Sequence, residues 1–137
     1  MDQREHERGA AAVEFALVLP MLLTLVFGII EFGRVYNIQT SITAAAREGA
    51  RAMALDNNPV TAVTTAESAA APYSVANAQV SVTTSNVPAS TPLNTCPTSN
   101  TTNALVKVTV TYPVTLLTGW FGTSITLHGT GVMRCNG

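Results

Sequence analysis

The run AAAVEFALVLPMLLTLVFGII, Ala10 to Ile30, is apolar apart from one acid, Glu14. As a helix its roughly 21 residues extend ~31 Å, which matches the hydrocarbon core of a bilayer. This predicts a single membrane span at about 10–30, with the lipid bilayer as its first partner. A cleaved secretory signal peptide is the competing reading. The preceding MDQREHER nearly balances acids against bases, and the run is followed by GIIEFGRVY with no A-x-A cleavage site, so that reading is set aside. The positive-inside count does not orient the span, since Arg4 and Arg8 on the short side face Arg34, Arg47 and Arg51 on the long side.

The helical pattern continues past Ile30. Val35, Ile42 and Gly49 with Ile38, Ala45 and Ala52 recur at three- and four-residue steps and form a narrow heptad-like seam. The expected helix therefore spans 10–55, ~65 Å long, and is ended by LDNNP. Pro20 removes a backbone donor and is expected to kink it, while Gly28 and Gly33 permit bending or close approach of a neighbour. Glu31 and Arg34 are spaced to pair along the helix. Arg47, Glu48 and Arg51 share a face that is either simply solvated or docks a partner.

The far portion, 56–137, reads as a small α+β unit. Asn58 and Pro59 resemble a cap and first-turn proline, so VTAVTTAESAAA is expected to be a short second helix ending before Pro72. Strands are expected near 78–84, 104–112 and 123–134. In the second, Val106, Val108, Val110 and Tyr112 alternate with Lys107, Thr109 and Thr111; in the third, Ile125 and Leu127 point inward. LTGWFGTS reads as the turn between these two strands, and the Pro/Ser/Thr/Asn stretch around Cys96 as a long loop. The fold class is thus α+β: a long transmembrane helix continuing as an amphipathic helix, with a small antiparallel sheet packed on its outer part. Three such strands bury too little to stand alone.

Cys96 and Cys135 are either a disulfide or two buried thiols. A bridge would tie the loop to the last strand, stabilise the fold by roughly 4 kcal/mol in the chain-entropy model, and imply an oxidising compartment. With the neutral Thr-rich composition, this places the long side outside the cytoplasm. The chain has 137 residues, only 11% of them charged, and a net charge of -1; its basic residues are scattered, which argues against a nucleic-acid partner. No nucleophile has a base near it in sequence, His6 and His128 are far apart, and phosphate-cradling glycine spacing is missing. The expectation is therefore no enzyme, cofactor, metal or small-molecule substrate.

An unpaired carboxylate at the edge of the hydrocarbon costs about 2 to 3 kcal/mol. Either Glu14 keeps water at the interface, or it has a partner. Gly9, then AAAV, then Glu14 and Phe15 leading into an apolar helix, is similar to the type IV prepilin processing motif. That resemblance implies cleavage between Gly9 and Ala10 by a membrane prepilin peptidase, often with methylation of the new amine, and a docking role for Glu14 and Phe15. Residues 1–9 are then a leader peptide. The longer stretch RGAAAVEFALVLPMLLTLVFGIIEFGRVYNIQTSITAAAREGARAMA resembles the TadE-like domain, and VKVTVTYPVTLL with ITLHGTGVMR resembles the C-terminal strands of TadE-like proteins.

The resemblance implies a type IV pilin-like fold and a minor pseudopilin of the tight-adherence (Tad/Flp) pilus. Its partners would be other pilin-like subunits, including a major pilin, and an inner-membrane assembly platform working with an outer-membrane secretin. It implies an inner-membrane location with the C-terminal domain outside the cytoplasm, and incorporation into the surface pilus as a further step. Subunits would pack through the seam from Phe15 to Ala52. The alternative is an unprocessed, membrane-anchored binding or adhesion domain displaying its Thr-rich loop.

Overall fold

The computed structural model describes residues 3–76, 79–86, 94–97, 103–117, 119 and 122–135, with side chains described from Gly9 onward. Most of the loop around Cys96, parts of the LTGWFGTS turn (Thr118, Trp120 and Phe121), and the side chains of the leader lie outside the described residues.

A single helix, α1 (Gln3–Asp56), runs 54 residues, about 80 Å at the standard rise. It extends through most of the leader and is continuous through Pro20. The Thr24 hydroxyl donates to the Pro20 carbonyl at 2.8 Å, one turn away. Two asparagines then turn the chain. Asn57 takes a left-handed conformation (φ 48°) and donates its N–H to the Met53 carbonyl at 3.0 Å, the αL way of ending a helix. Asn58 is extended, and its Oδ1 accepts from Val60 N–H at 2.9 Å and Thr61 N–H at 3.5 Å. With Pro59 in the first turn, this starts α2 (Pro59–Ala69), as the Asn-Pro pair leads one to expect.

α2 folds back on α1 and buries Ala62 and Ala66. Small residues make this approach possible: a β-carbon at Gly49 would lie 2.9 Å from both the Ala62 carbonyl oxygen and the Ala66 Cβ. The chain then passes through a cis Ala71–Pro72 peptide into three antiparallel strands, β1 (Val80–Ser85), β2 (Leu105–Thr115) and β3 (Ser124–Arg134), in spatial order β1-β2-β3. The α+β class read from the sequence is the observed one.

β2 is the central strand, and its alternation decides which face is the core. Val106, Val108, Val110 and Val114 are buried, and Lys107 is exposed. Tyr112, expected on the inner face, is half-buried and tilted against Tyr73 with ring centroids 6.0 Å apart. The sheet lays this valine row on the outer part of α1, against Ile38, Ile42, Ala45 and Ala46 toward the membrane side, and against Ala50 and Met53 of α1 with Ala62 of α2 further out.

In β3 the inward series starts with the half-buried Ile125 and Leu127 and continues as Gly129 and Gly131. These glycines let the strand sit directly on the helix backbone. A β-carbon on Gly129 would collide with the Ile42 carbonyl, and one on Gly131 with the Ala46 carbonyl.

This packing corrects one sequence expectation. The seam was expected to join subunits from Phe15 as far as Ala52. Ile38, Ile42, Ala45 and Gly49 are instead buried by the chain's own α2 and sheet. A three-stranded sheet buries too little to close a core by itself, so it takes the outer half of the seam and leaves the inner half uncovered within the chain.

Candidate functional site: the membrane helix and its exit turn

The inner half of α1 has no cover within the chain. Val13, Phe15, Leu17, Val18, Met21, Leu22, Leu25, Phe27, Ile29, Ile30 and Phe32 are all exposed, and they point to every side of the helix. A helix apolar all round cannot remain in water and is covered by lipid or by other helices. It is the one helix among the described residues long and apolar enough to cross a membrane.

Gly9, Ala10, Glu14 and Phe15 lie on this open part, all exposed. Helical spacing puts Ala10 and Glu14 one turn apart on one face. A β-carbon at Gly9 would meet nothing within 4 Å, so the chain's own packing does not require a glycine there. Glu14 is thus offered to something outside the chain, at the depth where the span begins.

The opposite end of the span is built differently. Glu31 is the first charged residue after the apolar run, and it is 9% exposed. Its Oε2 accepts from the Leu117 N–H at 2.9 Å, and its Oε1 lies 3.6 Å from the Arg34 guanidinium. That Oε1 is buried without a hydrogen bond, held by the charge of Arg34 alone. Arg34 in turn donates to the Thr115 carbonyl at 2.9 Å. The two side chains therefore clasp the end of β2 to the helix at the level where it leaves the apolar stretch. The pair expected from i,i+3 spacing does form, but it is not merely a solvated face. Glu31 is enclosed, and a charged acceptor bonded to a backbone N–H contributes more than a surface ion pair. Glu31 and Leu117 are 86 positions apart, and no local pattern announces their contact.

Gln39, two turns beyond Glu31, is a further residue that sequence reasoning passed over. Its amide donates to the His128 carbonyl at 2.9 Å, adding a polar tie between α1 and β3. His128 itself is exposed, with Nδ1 3.3 Å from the Thr111 hydroxyl across the strand pair.

The far end of the domain is closed covalently. Cys96 and Cys135 form a disulfide with a Cα–Cα distance of 5.5 Å across a sequence separation of 39. Asn57 holds the same loop non-covalently: its Oδ1 accepts from the Cys96 N–H at 2.6 Å and its Nδ2 donates to the Cys96 carbonyl at 2.9 Å. One side chain thus acts as a two-bond backbone partner, joining the helix end to the cysteine loop.

Arg47, Glu48 and Arg51 stand exposed on the outer helix. Glu48 borders an open recess of about 500 Å³ with Thr64, Thr65, Ser68 and Ala69 from α2. The recess is wide open to solvent. Among the described residues, no three His, Cys, Asp or Glu side chains gather as metal ligands.

The family model described as TadE-like protein matches residues 9–51. The match begins at Gly9, includes Glu14, Phe15 and the exit turn, and ends within α1, before α2 and the sheet. No curated protein and no solved structure matches this chain.

Proposed function

We propose that this TadE-like protein of the Tad pilus system is a minor pseudopilin, a non-catalytic subunit in the assembly of Tad/Flp pili. It is inserted by the apolar half of α1 and cut between Gly9 and Ala10 by a prepilin peptidase. It then packs with other pilin-like subunits through the uncovered stretch that starts at Phe15. The observation that carries this reading is the order of Gly9, Ala10, Glu14 and Phe15 at the head of a helix whose apolar faces are all exposed, where the TadE-like match also begins.

In this reading the cut creates an α-amine one helical turn from Glu14. The amine of one subunit neutralises the carboxylate of the next, and a neighbour out of register leaves Glu14 unpaired in lipid, at a cost of about 2 to 3 kcal/mol. The chain sits in the inner membrane with its sheet domain outside the cytoplasm, where the Cys96–Cys135 bridge persists. An assembly platform in that membrane is its further partner.

The test replaces Glu14 in the cell. Glu14→Ala protein that accumulates at the wild-type level but supports no pili is the expected result. Normal piliation by that variant overturns the register mechanism.

A further inference from the structure

The turn joining β2 to β3 is held at a definite height along α1. Two contacts measure it. Gly129 sits on Ile42 and Gly131 on Ala46, so two strand residues (~6.6 Å) advance alongside four helical residues (~6 Å). β3 therefore runs nearly along the helix axis. Ser124, five residues before Gly129, lies ~17 Å closer to the membrane, about eleven helical residues below Ile42 and so level with Glu31. The clasp agrees: Arg34 bonds Thr115, the pairing partner of Ser124, and Glu31 bonds Leu117.

The described residues at this level have the chemistry of a bilayer interface. Leu117 is 70% exposed, and at about the same height on α1 are Phe32, 73% exposed, and Tyr36, 63% exposed. The two rings stack at 6.5 Å. Leu116, Leu117, Gly119 and Gly122–Ser124 carry no charge. Glu31, the anion present, is turned inward and paired. Aromatic and aliphatic side chains flanking the end of a span favour the headgroup layer.

We propose that the end of β2 and the residues that follow it to Leu117, together with Phe32 and Tyr36, rest in the phospholipid headgroup layer where α1 leaves the membrane. The Glu31–Arg34 clasp holds them there, so the sheet domain stands on the bilayer in a fixed posture instead of swinging above it. Phe32 follows the apolar run within two residues on the same helix, and this selects lipid as the occupant. The proposal rests on the span and not on the pseudopilin reading.

A tryptophan placed at the described position serves as reporter: Leu117→Trp in a chain whose one native tryptophan is replaced by Trp120→Phe. The full chain is reconstituted in phosphatidylcholine–phosphatidylglycerol vesicles carrying bromine near the glycerol end of the acyl chains, and in unlabelled vesicles exposed to aqueous iodide. Flotation with the vesicles, read separately, reports the span. With flotation intact, strong quenching by bromolipid and weak quenching by iodide is expected, and adding Glu31→Ala, which removes the acceptor of the residue 117 N–H, should lose most of the bromolipid quenching. Quenching by iodide alone puts position 117 in water and overturns the proposal. Protection from both quenchers means that protein covers it and overturns the proposal equally, as does bromolipid quenching unchanged by Glu31→Ala.

Discussion

Gly131 and Glu31 show how single residues set the position of a whole sheet. At Gly131 any side chain must share space with the Ala46 carbonyl of the helix, a backbone atom that cannot rotate away. Overpacking of a closed core costs about 1–3 kcal/mol and sometimes more. Gly131→Val is therefore expected to lower stability by at least that amount, measured by urea unfolding of the detergent-solubilised protein. A substitution at Gly119, which has open space around it but a positive φ of 63°, should cost only backbone strain.

Glu31→Ala removes the acceptor of the Leu117 N–H and the charge opposite Arg34. The loss is expected at about 1–3 kcal/mol. It should be local, with faster hydrogen exchange at Leu117 and at the start of β3 and little change at Val108. Uniform loss of protection across the sheet would show that the clasp does more than fasten one end.

At the scale of elements, the domain is closed at both ends by unlike devices: the ion-paired clasp toward the membrane, and the Asn57 and disulfide ties at the far end. Asn57→Gly keeps the left-handed conformation but deletes both bonds to Cys96, whereas Asn57→Ala also adds backbone strain. The alanine variant is thus expected to be the less stable in thermal melts. Removing the disulfide as Cys96→Ser/Cys135→Ser should cost about 2–5 kcal/mol, as for native bridges in small domains. Combining it with Asn57→Gly should give a non-additive loss, because both constrain one loop. Additive losses would mean that the two ties act independently.

Much of this architecture was legible because it is written locally. The apolar run, the valine alternation in β2 and the Asn58-Pro59 cap each declare themselves within a dozen residues, and each depends on a period or on turn chemistry. The contacts that place the sheet are not local. Gly129 and Gly131 read as ordinary glycines in a strand until the helix beneath them is known. Glu31 declared its helical partner Arg34 but not Leu117, which lies beyond the second helix and two strands. The heptad seam was visible and the sheet was expected on the outer part of the helix, but how much of the stripe it takes was not: Ile38, Ile42 and Ala45 suit a neighbouring helix as well as the chain's own sheet. In the functional stretch, Gly9, Glu14 and Phe15 were legible as a motif, and the fold adds that nothing within the chain covers them.

At the scale of the whole molecule, α1 is divided between two tasks. Its outer half, from Ile38 to Ala54, is the floor of the sheet domain. Its inner half is left bare over Val13 to Ile30, close to the length that crosses a bilayer. In the proposed function the bare half becomes competent when the chain is cut before Ala10. The most direct measurement is the N-terminal sequence and intact mass of the protein from cells with and without their prepilin peptidase. Ala10 at the N-terminus, free or methylated, with the peptidase and an intact leader without it is the predicted result. A leader retained in both strains would contradict the account and leave the chain an uncut membrane anchor.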